Sequence, residues 1–171
     1  MEERTGITTM KGNPLTLIGK ELKPGDLAPD FEAAANDMSA ANFTSYKGKR
    51  CIISAVPSLD TPVCDMQTRR FNTEAASLGD DVVILTLSMD LPFAQSRWCG
   101  AAGVDQVITL SDHKNAAFGT AYGILIKELR LLARAVFAID PAGVIRHTEI
   151  VGEIADEPDY NAVIKAVMEM R

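Results

Sequence analysis

Three features of the sequence predict an α/β fold with a mixed central sheet flanked by helices. Residues 82–88, Val-Val-Ile-Leu-Thr-Leu-Ser, are apolar nearly throughout, as expected of a strand buried on both faces of a parallel sheet. A helical pattern over 62–77 separates that run from a compact apolar run at 51–56, giving a right-handed strand–helix–strand crossover. The C-terminal third then changes style. Arg134–Asp140 and Val144–Ile150 are strand-like runs joined by Pro141-Ala142-Gly143, an antiparallel hairpin.

Each element has its own local signal. Residues 7–18 read as two short strands around Lys11-Gly12-Asn13-Pro14, an N-terminal β-hairpin, and a Pro- and Gly-bearing connector follows through Asp26. A charged turn, Lys47-Gly48-Lys49-Arg50, leads into the strand at 51–56. Thr61 as N-cap and Pro62 at the first helical position start the helix, which sets Phe71, Ala75 and Leu78 on one side. Asp90 is expected to cap a second helix, with Pro92 in its first turn and an end around Gly100–Gly103. Residues 107–110 read as a short strand and 114–121 as a short helix. The tail, Pro158–Met170, sets Tyr160, Val163, Ile164, Val167 and Met168 on one helical face, with Asp156 or Glu157 as the cap and Pro158 first in the helix. A crossover half, a hairpin and a final helix make the thioredoxin-like order. No repeat, linker or low-complexity tract interrupts it, so residues 1–171 are expected to form one domain.

Composition narrows the function. A hydrophobic fraction of 47% with 23% charged residues is that of a soluble globule. A net charge of −6 disfavours a nucleic-acid partner, which would need surplus Lys and Arg. No run approaches the ~18 apolar residues of a membrane helix. Met1-Glu2-Glu3-Arg4 is acidic where a signal peptide would be basic, so a cytoplasmic location is expected. Three cysteines in a chain of this size do not read as a disulfide framework. In a reducing compartment each is either a small buried hydrophobe or a chemical tool.

Cys64 falls in the first turn of the helix that Thr61-Pro62 starts. Unpaired backbone N–H groups and the positive dipole end favour an anion there, and a thiolate is the anion available. The Thr61 hydroxyl, one turn back, can hydrogen-bond the thiolate or an oxygen bound beside it. That setting favours chemistry over inward packing. Cys99 follows Trp98 late in its helix, where the dipole opposes a thiolate; it is a poor first nucleophile but could attack an oxidised Cys64. Closing that loop as a disulfide would contribute roughly 4 kcal/mol on the chain-entropy estimate. Cys51 starts a strand with no acid, base or helix end nearby in sequence, and is read as packing. Arg134, ahead of Ala135-Val136-Phe137, is either a strand-end charge or a buried anion clamp, and its position alone does not choose. Nothing in the spacing of His113 and His147 recommends a Cys–His dyad, and no two of the five Cys and His stand at zinc-ligand spacing. There is no phosphate loop either.

Pro57-Ser58-Leu59-Asp60-Thr61-Pro62-Val63-Cys64 resembles the active-site motif of the peroxiredoxins, Pro-x-x-x-Thr-x-x-Cys. Gln67–Asn72, Asp90-Leu91-Pro92-Phe93-Ala94-Gln95, Arg97-Trp98-Cys99, Leu110-Ser111-Asp112 and Ala133-Arg134-Ala135-Val136 extend the likeness. As a set they are similar to the atypical two-cysteine peroxiredoxins of bacteria, the thiol peroxidase subfamily, over nearly the whole chain. The resemblance implies that Cys64 is the peroxidatic cysteine, attacking a hydroperoxide, an alkyl hydroperoxide or hydrogen peroxide, to give an alcohol or water plus a sulfenic acid. Thr61 and Arg134 would hold the thiolate and polarise the peroxide, with Pro57 shielding the sulfur. Cys99 would resolve the sulfenic acid as an intramolecular disulfide, which thioredoxin would reduce. It further implies a homodimer with a preference for alkyl hydroperoxides and no metal, haem or flavin. Two rivals remain at this point, a thioredoxin-like disulfide oxidoreductase, disfavoured by the missing Cys-x-x-Cys pair, and a non-enzymatic redox-sensing or chaperone module.

Overall fold

The computed structural model describes residues 1–170. It opens with a hairpin of β1 (Glu3–Met10) and β2 (Asn13–Ile18). Met10 pairs with Asn13, so the turn is only Lys11-Gly12, with φ of 52° and 80°. Positive φ at both central residues is the turn whose twist suits a hairpin, and it moves Asn13 and Pro14 into β2. β3 (Glu32–Ala34) and β4 (Ala40–Asn42) follow, then a turn of 3₁₀ helix over Phe43–Tyr46. The crossover comes next as β5 (Arg50–Ala55), α1 (Pro62–Leu78) and β6 (Val82–Ser88). After it lie α2 (Pro92–Ala102), β7 (Ile108–Ser111), α3 (Ala117–Ala121), β8 (Leu125–Ile126) and β9 (Leu131–Leu132). β10 (Ala135–Ile139), β11 (Ile145–Ile150) and α4 (Tyr160–Met168) complete the fold.

Seven strands form the central sheet in the order β11-β10-β5-β6-β7-β3-β4. β5, β6 and β7 are mutually parallel and the other pairs antiparallel, so the sheet is mixed as expected. The period of two along each strand divides the core between its faces. Cys51, Ile53 and Ala55 join Phe137 and Ile139 on the face that also packs Phe31, Phe118 and Tyr122. Ile52 joins Val136 and Ala138 on the other, against Phe71 of α1 and Val163 and Val167 of α4.

Several sequence expectations are corrected. Asp90 does not cap α2: Leu91 holds the N-cap position and no side chain caps it. The Asp90 carboxylate is engaged by the loop before α1 instead. α4 begins at Tyr160 and its cap is Asp159, which accepts from Ala162 N at 3.1 Å; Asp156, Glu157 and Pro158 all precede it. Met168 turns outward, 67% exposed, because the helix face toward the sheet is already filled by Val163 and Val167. The short third helix starts three residues later than expected, at Ala117, after Ala116 takes a left-handed φ of 50°. β8 and β9 form an unexpected hairpin that turns through Arg130 at φ 51°, and β8 pairs with β2. The N-terminal hairpin is thus half of a second, four-stranded sheet, β1-β2-β8-β9.

Candidate active site

β5 delivers the chain to the site at its end, where Val56, Pro57 and Leu59 are buried. The loop from 57 to 61 is fixed from below. Asp90 accepts from the Ser58 hydroxyl at 2.7 Å, from Leu59 N at 2.8 Å and from the Ser88 hydroxyl at 2.7 Å. Thr61 then takes extended geometry, φ −93° and ψ 146°, and Pro62 enters α1, so Thr61 is the N-cap by position. Its hydroxyl does not cap the helix. It donates to Ser58 O at 3.0 Å, and Thr61 is exposed. The expected hydrogen bond from Thr61 to the thiolate is therefore not made in this conformation, because the proton is already used in the turn.

Cys64 lies in the first turn of α1 with 0% of its surface exposed. Cys64, Gln67, Thr68, Phe71 and Leu78 make the buried face of the helix, the spacing of an amphipathic stripe. Val56, Leu59 and Trp98 pack around Cys64. Into this apolar surround comes Arg134, just ahead of β10 and only 2% exposed. All of its guanidinium nitrogens are engaged. Nη2 donates to Cys64 Sγ at 3.3 Å, Nη1 to Gln67 Oε1 at 2.9 Å, and Nε to Ile154 O at 2.9 Å. Gln67 in turn donates to the Ser54 hydroxyl at 2.7 Å. Arg134 is thus a buried guanidinium bonded on three sides.

A cavity of about 260 Å³ opens beside this pair. Pro57, Thr61, Pro62, Val63 and Arg134 form its inner wall, and Met10, Leu129, Leu131, Ile154 and Ala155 its outer, mainly apolar one. Arg134 supplies the only charge. The outer wall comes from the N-terminal hairpin, the β8–β9 hairpin and the segment between β11 and α4, none of which had pointed to the site in the sequence.

The other two cysteines differ from Cys64 and from each other. Cys99 is half-buried near the end of α2, with Sγ 3.5 Å from the Thr109 hydroxyl of β7. Thr109 donates to Asn36 Oδ1 at 3.0 Å. Cys51 sits in the core at 1% exposure, and burial pushes its thiol well above the ordinary range. All three are free. Among the described residues no cluster of three or more His, Cys, Asp or Glu could hold a metal ion, and no helix is long and apolar enough to cross a membrane.

Comparison with known proteins decides the family. The Redoxin family pattern matches residues 23–164. A thiol peroxidase of Oceanobacillus iheyensis is 56% identical over 156 residues, covering 91% of this chain and 94% of that protein. One from Bacillus subtilis is 55% identical over 158 residues, covering 92% and 94%. The chain belongs to the thiol peroxidases, enzymes of the redoxin family. Among solved structures, a peroxiredoxin-like protein from Aquifex aeolicus superposes on this member of the family with a TM-score of 0.90 at 41% identity, covering 97% and 96% of the two chains. A thiol peroxidase from Chromobacterium violaceum shares the fold at a TM-score of 0.84 and 21% identity, covering 95% of each chain.

The structure of this thiol peroxidase brings Cys64, Arg134, Pro57 and Thr61 to one place and leaves Cys99 on a neighbouring helix. Sequence reasoning missed Gln67 and the tie made by Asp90. Gln67 had a usable signal, since a glutamine three residues after Cys64 on the inward face of an amphipathic helix needs a buried polar partner. The Ile154 carbonyl had none.

Proposed function

We propose that this thiol-dependent peroxidase reduces hydroperoxides, alkyl hydroperoxides foremost, with Cys64 as the attacking residue. The observation that carries the reading is the buried 3.3 Å contact between the Arg134 guanidinium and the Cys64 sulfur, beside a cavity with apolar walls. The guanidinium carries a positive charge and donates directly to the sulfur, which lies at the N-terminal end of α1, the positive end of the helix dipole. The thiolate attacks the terminal oxygen of R–O–OH. A sulfur–oxygen bond forms as the oxygen–oxygen bond breaks, and the departing alkoxide takes up a proton to leave as the alcohol. Cys64 remains as a sulfenic acid.

Arg134 faces the oxygens on which negative charge grows, a preorganised donor in a site shielded from water. Thr61, its proton given to Ser58, presents hydroxyl lone pairs that accept from the O–H of the hydroperoxide. Pro57, buried at the inner wall, keeps water from the sulfur. The apolar outer wall suits the alkyl group and offers nothing to a small, fully hydrated peroxide.

Cys99 completes the cycle in this reading. Its thiol attacks the sulfenic sulfur, a disulfide forms, and the hydroxyl leaves as water. Cys99 is bonded toward Thr109 in the resting state, so the start of α1 and the segment around Trp98–Gly100 must loosen first. Thioredoxin, in the reducing cytoplasm, then returns both thiols by exchange. Leu91 and Phe93, 54% and 68% exposed at the start of α2, offer apolar area to a second copy in a homodimer.

A coupled turnover assay with cumene hydroperoxide, thioredoxin, its reductase and NADPH tests the whole scheme. Cys64→Ser should consume no hydroperoxide. Cys99→Ser should show no thioredoxin-dependent turnover, each chain stopping at the sulfenic or sulfinic acid of Cys64, since no disulfide reaches thioredoxin. Continued thioredoxin-dependent turnover by Cys99→Ser would refute the resolving step.

A further inference from the structure

The Cys64 sulfenic acid faces two fates. Condensation with the Cys99 thiol gives the disulfide and water. Attack on a second hydroperoxide instead transfers one more oxygen, giving a sulfinic acid and a second alcohol, a product that thioredoxin does not reduce. The outcome depends on how soon Cys99 arrives. In the resting fold that approach is blocked by the residue next to it. Trp98 packs against Cys64, while Cys99, about 100° further round α2, bonds Thr109 on β7.

Trp98 is tied down by residues of α1. Asp65, directly after Cys64, accepts from Trp98 Nε1 at 3.0 Å with one carboxylate oxygen and from Arg69 Nε at 2.8 Å with the other. The Arg69 guanidinium lies 5.6 Å from the centre of the Trp98 ring and donates from Nη1 to Ala102 O, at the last residue of α2, at 3.2 Å. The peroxidatic helix therefore grips both the middle and the end of the helix that carries Cys99. A surface ion pair alone contributes little. Here the pair has a further neighbour, an indole N–H donating to the same carboxylate, and hydrogen bonds to charged groups are the stronger ones.

We propose that Asp65, Arg69 and Trp98 form a latch between the two helices, and that its release sets the rate at which Cys99 reaches the oxidised Cys64. Asp65 and Arg69 are positioning residues: they act on the reaction only through Trp98 and α2. This rests on Cys99 as the resolving residue. The latch holds the attack geometry together while Cys64 is reduced, at the expense of exposing the sulfenic acid to a second hydroperoxide.

The test is a pulse of cumene hydroperoxide on the reduced full chain. Mass spectrometry then counts Cys64–Cys99 disulfide against Cys64 sulfinic acid. Trp98→Phe keeps an aromatic ring at the position but removes the N–H and part of the ring that lies under Arg69 and against Cys64. It should raise the ratio of disulfide to sulfinic acid about tenfold, equivalent to about 1.4 kcal/mol. Asp65→Asn still accepts from Trp98 but loses the Arg69 pair, and should raise the ratio by about threefold. The rate of the first attack on hydroperoxide cancels from this ratio, so a general loss of activity does not imitate the effect. An unchanged or lowered ratio in both variants, with the disulfide still forming, overturns the latch. Persistence of an intramolecular disulfide at Cys64 in Cys99→Ser would overturn it together with the reading on which it rests.

Discussion

Cys51 and Cys64 are buried to the same degree, 1% and 0% exposed, and their surroundings are opposites. Cys51 sits mid-sheet among Ile53, Leu85 and Phe137, with no charge to receive, and burial holds its thiol protonated. Cys64 sits among Val56, Leu59 and Trp98, equally apolar, yet it has a guanidinium 3.3 Å away and a helix start beneath it. Burial without a counter-charge silences a thiol. Burial with one, and with the guanidinium held on all sides, concentrates its field on the sulfur. The difference lies in the helix start and in a residue 70 positions away, not in the depth of either cysteine.

The largest expected effect is that of Cys64→Ser, which should reduce turnover to background, since an alcohol neither ionises at neutral pH nor forms a sulfenic acid. Arg134→Met is next. Removing a preorganised donor of this kind costs on the order of 10²–10³ in rate, and a stopped-flow oxidation assay should show it. Arg134→Lys should recover little, because one ammonium cannot bond Cys64, Gln67 and Ile154 together. Near-normal turnover of Arg134→Met would end the contrast between the two cysteines.

Gln67→Ala sharpens the same contrast from the second layer. It frees one arm of Arg134 and leaves the Ser54 hydroxyl without its donor, and should lower the attack rate about tenfold, a loss of about 1.4 kcal/mol of transition-state stabilisation. Cys51→Ala should leave turnover unchanged. Its effect appears in the pH dependence of stability. Cys51 has a folded value raised above the unfolded one of about 8.5. The unfolded chain therefore releases this proton first, and the contribution is complete below about pH 8.5 and lost as pH rises beyond it. Urea titrations from pH 7 to 10 should show stability declining from that point, with a shallower decline in Cys51→Ala. If Cys51→Ala instead loses turnover while folded, Cys51 is not merely packing.

The crossover, the C-terminal hairpin and α1 were legible because their signals are local: an apolar run, a Thr-Pro start, a Pro-Ala-Gly turn. β3, β4, β8 and β9 were not, since strands of two or three residues carry no period to read and exist through their partners. Cys64, Thr61 and Pro57 could be placed together from one short stretch. Arg134 could be suspected but not assigned, because a buried clamp and a strand-end charge look alike until the partner across the fold is known. Asp90 shows the opposite failure. Its place before a Pro-started helix fits a cap, yet Ser58, Leu59 and Ser88 compete for the same carboxylate and win.

The bond from Arg134 Nε to the carbonyl of Ile154 has a consequence for biosynthesis. A chain emerging from the ribosome releases the Cys64 helix long before it releases residue 134, and residue 134 before residue 154. At typical elongation rates of about 5–20 residues per second, the cysteine waits several seconds or more for its guanidinium and for the clamp that aims it. The surroundings of Cys64 are thus completed by nearly the last segment to be made, and a nascent or truncated chain ending before Ile154 lacks the bond that holds Arg134 from the far side.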